Sequence, residues 1–327
     1  MRTLVTGGAG FIGSHLCEEL VARGDEVTVL DNLSTGRREN LAAAMARGKV
    51  ELVEGDVLDA DCVASLVRQA DRVVHLAAAV GVKLVIERPL HTLEVNLLGT
   101  HHVLEACACY GKPVLIASTS EVYGHQVAES FNEETPSLLG PVSQMRWVYA
   151  VSKLADEYLA RAYAVERGLQ VICARFFNTT GPRQSGRYGM VVPRFVHAAL
   201  RGEPLTVFGD GSQVRCFCHV TDAVRAVAEL LERPQCFGQS INIGSDQPTT
   251  ILALARKVLE ITGSSSPIEF VPLERAYGIG IADIQYRVPD IGKLVAATGW
   301  RPARTLDEII ADIAAGASTG GCAAGAN

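Results

Sequence analysis

The sequence predicts a doubly wound α/β fold with a smaller, interleaved C-terminal lobe. Three observations carry this prediction. Short β-rich runs alternate with amphipathic helical stretches through the first half. A glycine-rich turn joins the first of these runs to the first helix. Near residue 176 the rhythm changes to longer, Gly-rich loops.

The strands are expected at 3–7 ("TLVTG"), 26–30, 50–55, 72–78, 113–118 and 169–176. Between them, 12–23, 59–69 and 91–110 repeat apolar residues at helical period. Strands separated by helices pair in parallel and cover both sheet faces. Beyond 176, "NTTGPRQSGRYG" and "LTVFGDGSQVR" read as loops, with helices at 190–201, 219–232, 249–262 and 306–315. Residues 1–175 are thus the sheet domain, to which segments near 215–240 and 285–300 return. Residues 176–316 build mainly the second lobe, and the small, polar 317–327 reads as a flexible tail.

Composition narrows the class. The chain has 327 residues, 48% hydrophobic and 20% charged, enough apolar content for a large core. A net charge of −6 argues against a nucleic-acid partner. No apolar run reaches the roughly 20 residues of a membrane helix. The nine cysteines are scattered, which suits reduced thiols in a cytoplasmic protein. "CFCH" (Cys216, Cys218, His219) reads as buried strand, because its spacing fits no zinc pattern and no second cluster is near; no metal is expected.

"TGGAGFIG" places Gly7, Gly10 and Gly13 at the turn from a strand into a helical stretch, with Phe11 and Ile12 beside them as expected cofactor contacts. The first glycine permits a tight turn, the second close approach to a pyrophosphate, the third close helix–strand packing. Free N–H groups at the helix start then face the anion. Asp31, with Asn32 after it, ends the second strand at the distance expected of a ribose-binding acid. A carboxylate there favours NAD over NADP, since it repels a 2′-phosphate. Asp56, followed by Val57, either reaches the adenine or caps the next helix.

"VYAVSK" sets Tyr149 and Lys153 four residues apart, on one helix face. A tyrosine acts as a base only if its phenolate is stabilised, and a nearby ammonium does that. "STSEVYG" (118–124) gathers hydroxyls and a carboxylate at a strand end. These features suit removal of a hydroxyl proton while hydride leaves for NAD.

Together, "TGGAGFIGSH", "DNLSTG", "HLAA", "VNLLGT", "STSEVYG", "YAVSK", "RFFNTTGPRQ", "GDGSQVR" and "RVPDI" resemble the extended short-chain dehydrogenase/reductases, in their nucleotide-sugar epimerase, dehydratase and decarboxylase group. The resemblance spans nearly the whole chain and implies a Rossmann sheet, bound NAD, a UDP-sugar substrate and a homodimer through helices 91–110 and 149–167. It implies Thr119 as the catalytic hydroxyl, Ser120 as a second donor, Tyr149 as base and Lys153 as the cofactor-ribose contact. It implies Leu76, Ala77, Ala78 and Asn96 as cofactor lining. Asn178, Arg215 and Arg287 match diphosphate and sugar contacts, and Thr206 and Phe208 the segment that holds the uracil.

The resemblance implies a shared first step, oxidation at C4 to a 4-keto sugar. Thr119-Ser120-Glu121 lacks the dehydratases' Asp-Glu pair and looks like UDP-glucuronate decarboxylases. "GPRQSGRYG" looks more like uronate 4-epimerases, where Arg187 or Arg183 could clamp a carboxylate bidentately; phosphate contact or exposure are the plainer readings. A clamp that stabilises the ground-state carboxylate disfavours its loss. The expected function is therefore a UDP-sugar 4-epimerase, on UDP-glucuronate or UDP-glucose, with UDP-glucuronate decarboxylase as the alternative. Glu121 is either an aid to decarboxylation or an anchor in an epimerase. A non-catalytic dinucleotide sensor is the remote third reading, since it would need neither Tyr149 nor Lys153.

Overall fold

The computed structural model describes residues 1–126, 128–184, 190–272 and 284–319. Its strands are β1 (Arg2–Thr6), β2 (Glu26–Asp31), β3 (Val50–Glu54), β4 (Arg72–His75), β5 (Val114–Thr119), β6 (Val171–Phe176), β7 (Thr179–Thr180), β8 (Leu205–Phe208), β9 (Val214–Cys216), β10 (Cys218–His219), β11 (Gln239–Ile243), β12 (Pro248–Thr250), β13 (Ile268–Val271) and β14 (Tyr286–Arg287). Among these, seven form one sheet in the order β11-β6-β5-β4-β1-β2-β3, with every pairing parallel.

The six expected strands are all present, and β11 is a seventh that the sequence reading missed. "SINI" is short and half polar, and only its pairing along β6 makes it a strand. β4 and β6 are buried along their whole length, as strands covered on both faces must be. The order reverses between β1 and β4, and in open α/β sheets a crevice forms there, beyond the carboxyl ends of the strands.

Two apolar clusters flank the sheet. One joins helix Phe11–Ala22 to helix Val220–Leu231 through Leu16, Leu20, Val224 and Val227. The other gathers Val63, Val67, Val103, Leu104 and Ala160 on the opposite face. A third cluster is built by helices Val191–Leu200, Ile251–Thr262 and Leu306–Thr319, which bury Phe195, Leu254 and Ile309. Short sheets complete it: β12-β9-β14 and β13-β8. The chain returns to the main sheet through helix Val220–Leu231, β11 and helix Gly292–Thr298. Cys216, Cys218 and His219 are buried strand residues, and no metal-binding group of side chains occurs among the described residues. No helix among them is long and apolar enough to cross a membrane.

Candidate active site

A cavity of about 650 Å³ runs along the carboxyl ends of the strands, from Asp31 and Asp56 at one end to Arg215 and Arg287 at the other. Tyr149, Lys153, Thr119, Ser120 and Glu121 line its middle.

The glycine turn is built by close approach. Gly7 has φ +70°, and a Cβ there would stand 2.8 Å from the Ala77 nitrogen. A Cβ on Gly13 would lie 2.2 Å from the Gly7 oxygen and 2.6 Å from the Gly8 Cα. Backbone cannot move aside, so both positions need glycine. Gly10 precedes helix Phe11–Ala22, which no side chain caps. The first-turn N–H groups at Phe11, Ile12 and Gly13 therefore have no side-chain acceptor and border the cavity. This cradle fits a dinucleotide pyrophosphate.

Asp31 ends β2 and shapes the same cradle. Its carboxylate accepts from the Ala9 N–H at 2.9 Å and the Leu33 N–H at 2.8 Å, which holds Leu33 at φ +56°. Asp56 lines the cavity and accepts from Asn32 Nδ2 at 2.9 Å and the Leu58 N–H at 3.0 Å. It is not the helix cap: Asp59 caps Ala60–Gln69 by accepting from the Cys62 N–H. Val57, Leu76, Ala77 and Ala78 also line the wall.

Asn96 corrects an expectation. It is fully buried and absent from the cavity lining. Its Oδ1 accepts from the Ala79 N–H at 2.8 Å and its Nδ2 donates to Ser152 Oγ at 2.9 Å. It sits in a π-helical turn, Glu94–Leu98, and braces the cofactor wall against the helix that carries Tyr149.

Thr119 ends β5, and its Oγ1 accepts from the Glu121 N–H at 3.2 Å. Tyr149 and Lys153 lie on helix Val148–Arg167. Burial, then the charge of Glu121, push the Tyr149 phenol well above tyrosine's ordinary value, and a hydrogen bond from Thr119 pulls it back. The expected direct help from Lys153 does not appear: its Nζ donates to Asp156 Oδ2 at 2.9 Å. The remaining members of "STSEVYG" are structural. Ser118 donates to Glu157, and Tyr123 donates to Asn242 Oδ1 at 2.7 Å.

At the other end, Asn178, with φ +36°, donates through Nδ2 to the Cys216 carbonyl at 2.9 Å and borders the cavity. Arg215 Nη1 is held by the Val214 carbonyl at 2.8 Å, with the guanidinium in the cavity wall. Arg287 Nη1 lies 3.6 Å from Glu121 Oε1, so a cation and an anion face the cavity together. Phe208 lines the cavity, with the Arg194 guanidinium 4.8 Å from its ring centre. Thr206 does not line it; its carbonyl accepts from Arg194 Nη2 at 3.0 Å, two residues further back along β8. Arg187 lies outside the described residues. Arg183 is committed elsewhere: its guanidinium binds Glu18, Ser14 Oγ at 3.0 Å and the Asn40 carbonyl at 3.3 Å, clamping the loop after β7 onto the first helix. It is no carboxylate reader in this arrangement.

A glycine cradle with a tyrosine–lysine helix at its inner end defines an enzyme of the short-chain dehydrogenase/reductase type. The chain belongs to the NAD dependent epimerase/dehydratase family, whose model matches residues 3–244. It is 43% identical to a UDP-N-acetyl-alpha-D-glucosaminuronate decarboxylase of Bacillus cytotoxicus, over 92% of each chain. It is 36% identical to UDP-glucuronic acid decarboxylase 1 of Danio rerio, over 94% of this chain and 70% of that protein. Among solved structures, the NAD complex of the UDP-glucose 4-epimerase of Thermus thermophilus superposes with a TM-score of 0.85 at 34% identity, covering 98% of this chain and 100% of that one. The cofactor is NAD.

Proposed function

We propose that the protein decarboxylates a UDP-hexuronate, UDP-glucuronate or its 2-acetamido analogue, through a 4-keto sugar. The observation that carries this is the carboxylate of Glu121, facing the cavity beside Thr119 and Ser120 and paired at 3.6 Å with Arg287. The decarboxylase names of its relatives support the same reading. The epimerase expectation leaned on an arginine that holds the uronate carboxylate. Arg183 is bound to Glu18 and Ser14 instead, which removes one of its two supports.

Tyr149 takes the proton of the 4-hydroxyl, with the Thr119 hydroxyl bonded beside it. NAD, held by the Gly7–Gly13 cradle and Lys153, would supply the hydride acceptor for C4 and the donor that reduces the ketone again, so no net oxidant would be needed. With C4 a ketone, the C6 carboxylate is β to a carbonyl. The C5–C6 bond breaks, its electron pair passes into the enolate, and carbon dioxide leaves. A proton then adds at C5 and the ketone returns. When the diphosphate draws Arg287 away from Glu121, the unanswered Glu121 charge makes an anionic C6 carboxylate costly and neutral carbon dioxide comparatively easy to form, a difference that lowers the barrier. Arg215 and Arg287 supply cations for the diphosphate.

A homodimer belongs to this proposal. Val151, Tyr158 and Val165 recur every seven residues along helix Val148–Arg167 and are 44%, 73% and 70% exposed, an apolar stripe suited to a partner helix.

The deciding experiment is incubation with each UDP-uronate, followed by NMR and carbon dioxide detection. A UDP-pentose, or UDP-2-acetamido-pentose, with one carbon dioxide released per sugar is expected. A UDP-galacturonate-type product with no gas evolved would return the assignment to epimerisation.

A further inference from the structure

Helix Val148–Arg167 carries two adjacent buried acids, and they have different partners. Glu157 accepts from Arg175 Nη2 at 2.7 Å, from Ser240 Oγ at 2.8 Å and from Ser118. Asp156 is fully buried and accepts from Lys153 Nζ at 2.9 Å, one helical turn away. Lys153 is itself only 1% exposed. An ammonium so dry is costly unless a carboxylate answers it.

No neighbour among the described residues can take over that role. The titratable and charged groups facing the pair are His75 on β4, Cys173 on β6, and Tyr149 and Glu157 on the same helix; beyond them Glu121 faces Tyr149 and Arg175 faces Cys173. His75 is held down at about 3 by burial and by the Lys153 charge, so it stays neutral; its two nitrogens face Thr6 Oγ1 at 2.7 Å and Thr100 Oγ1 at 3.1 Å. Asp156 Oδ1 has no hydrogen-bond partner among the described residues; burial raises the carboxyl above the usual carboxylate range and the Lys153 ammonium pulls it back, so each group of the pair depends on the other. Glu121 is paired with Arg287, and Glu157 with Arg175.

We infer that Asp156 is a positioning residue for Lys153: its carboxylate keeps the ammonium charged and in place, leaving its remaining donors for the cofactor ribose. The inference rests on the family role of Lys153 within the proposed function, and it is independent of which sugar is converted.

Without a counter-charge, a buried ammonium sheds its proton at lower pH. Its charge is then present at low pH and lost as pH rises. The test is NAD affinity, by calorimetry, from about pH 6 to about pH 9. In Asp156→Asn, affinity should fall by about tenfold towards the alkaline end of that range, the behaviour of a buried lysine brought roughly 2–3 units below its ordinary ~10.4. The parent protein and Asp156→Glu, which keeps the charge, should stay flat. Asp156→Ser serves as the neutral variant should the asparagine fail to fold. In a Lys153→Met background the substitution should add no pH dependence. A flat profile in the neutral variants, or a fall that persists with Lys153→Met, overturns the inference. Because cofactor binding is read directly, this outcome is separable from failure of the product assay.

Discussion

Tyr149→Phe should cut turnover by about 10²–10⁴-fold, the usual contribution of a positioned general base. The phenol oxygen is the group beside Thr119 in the cavity wall that can exchange a proton with a sugar hydroxyl. Its removal leaves the ring to pack as before, so NAD affinity and thermal stability should match the parent. Rates of product formation by NMR, with cofactor affinity measured alongside, check both halves. A loss of less than about tenfold would move the base elsewhere. The pH dependence has a definite sign. Burial and Glu121 raise the phenol, so phenolate is scarce on the acid side and turnover should fall as pH falls. The Thr119 hydrogen bond works in the opposite direction, so Thr119→Val should shift that acid limb to higher pH.

What the sequence made legible is what local chain geometry dictates. A strand, three glycines at fixed spacing and a helix can be met in few ways, and the 2.2 Å approach at Gly13 shows why the spacing is strict. Tyr149 and Lys153 shared a face by helical period alone. The residues that escaped are those whose partners lie far along the chain. Asn96 had the right type to line a cofactor, but its amide reaches 17 residues back to Ala79 and 56 forward to Ser152. Arg183 looked like an anion reader until the fold brought Glu18 and Ser14 to it across 165 and 169 residues. β11 became a strand only beside β6. Asp156 is different: it stood at i+3 from Lys153, and a helical reading extended by one turn would have found it.

The largest stability effect should come from a residue outside the cavity lining, Glu157. Its carboxylate takes two nitrogens of Arg175 at 2.7 and 2.9 Å, plus hydroxyls from Ser118 and Ser240. These groups come from β6, β5 and β11, so one side chain of helix Val148–Arg167 ties three adjacent strands together. Arg175 is 8% exposed, and its remaining bonds, to Tyr123 OH at 2.9 Å and the Glu133 carbonyl at 3.0 Å, carry no compensating charge. Glu157→Ala therefore strands a buried guanidinium, which costs about 3–5 kcal/mol. At about 2 °C per kcal/mol for a chain of this size, Tm should fall by roughly 6–10 °C in a calorimetric scan. Glu157→Gln keeps an acceptor for Arg175 and should fall less. The Thr119 hydroxyl follows Ser118 on the same strand end, so loosening this tie also shifts Thr119 relative to Tyr149. Turnover should drop in the alanine variant well below its melting temperature, whereas Tyr149→Phe loses turnover with no change in Tm. A Glu157→Ala protein that melts within about 1 °C of the parent would mean that Arg175 finds water or another acid, and that the tie is not what holds the catalytic helix to the sheet.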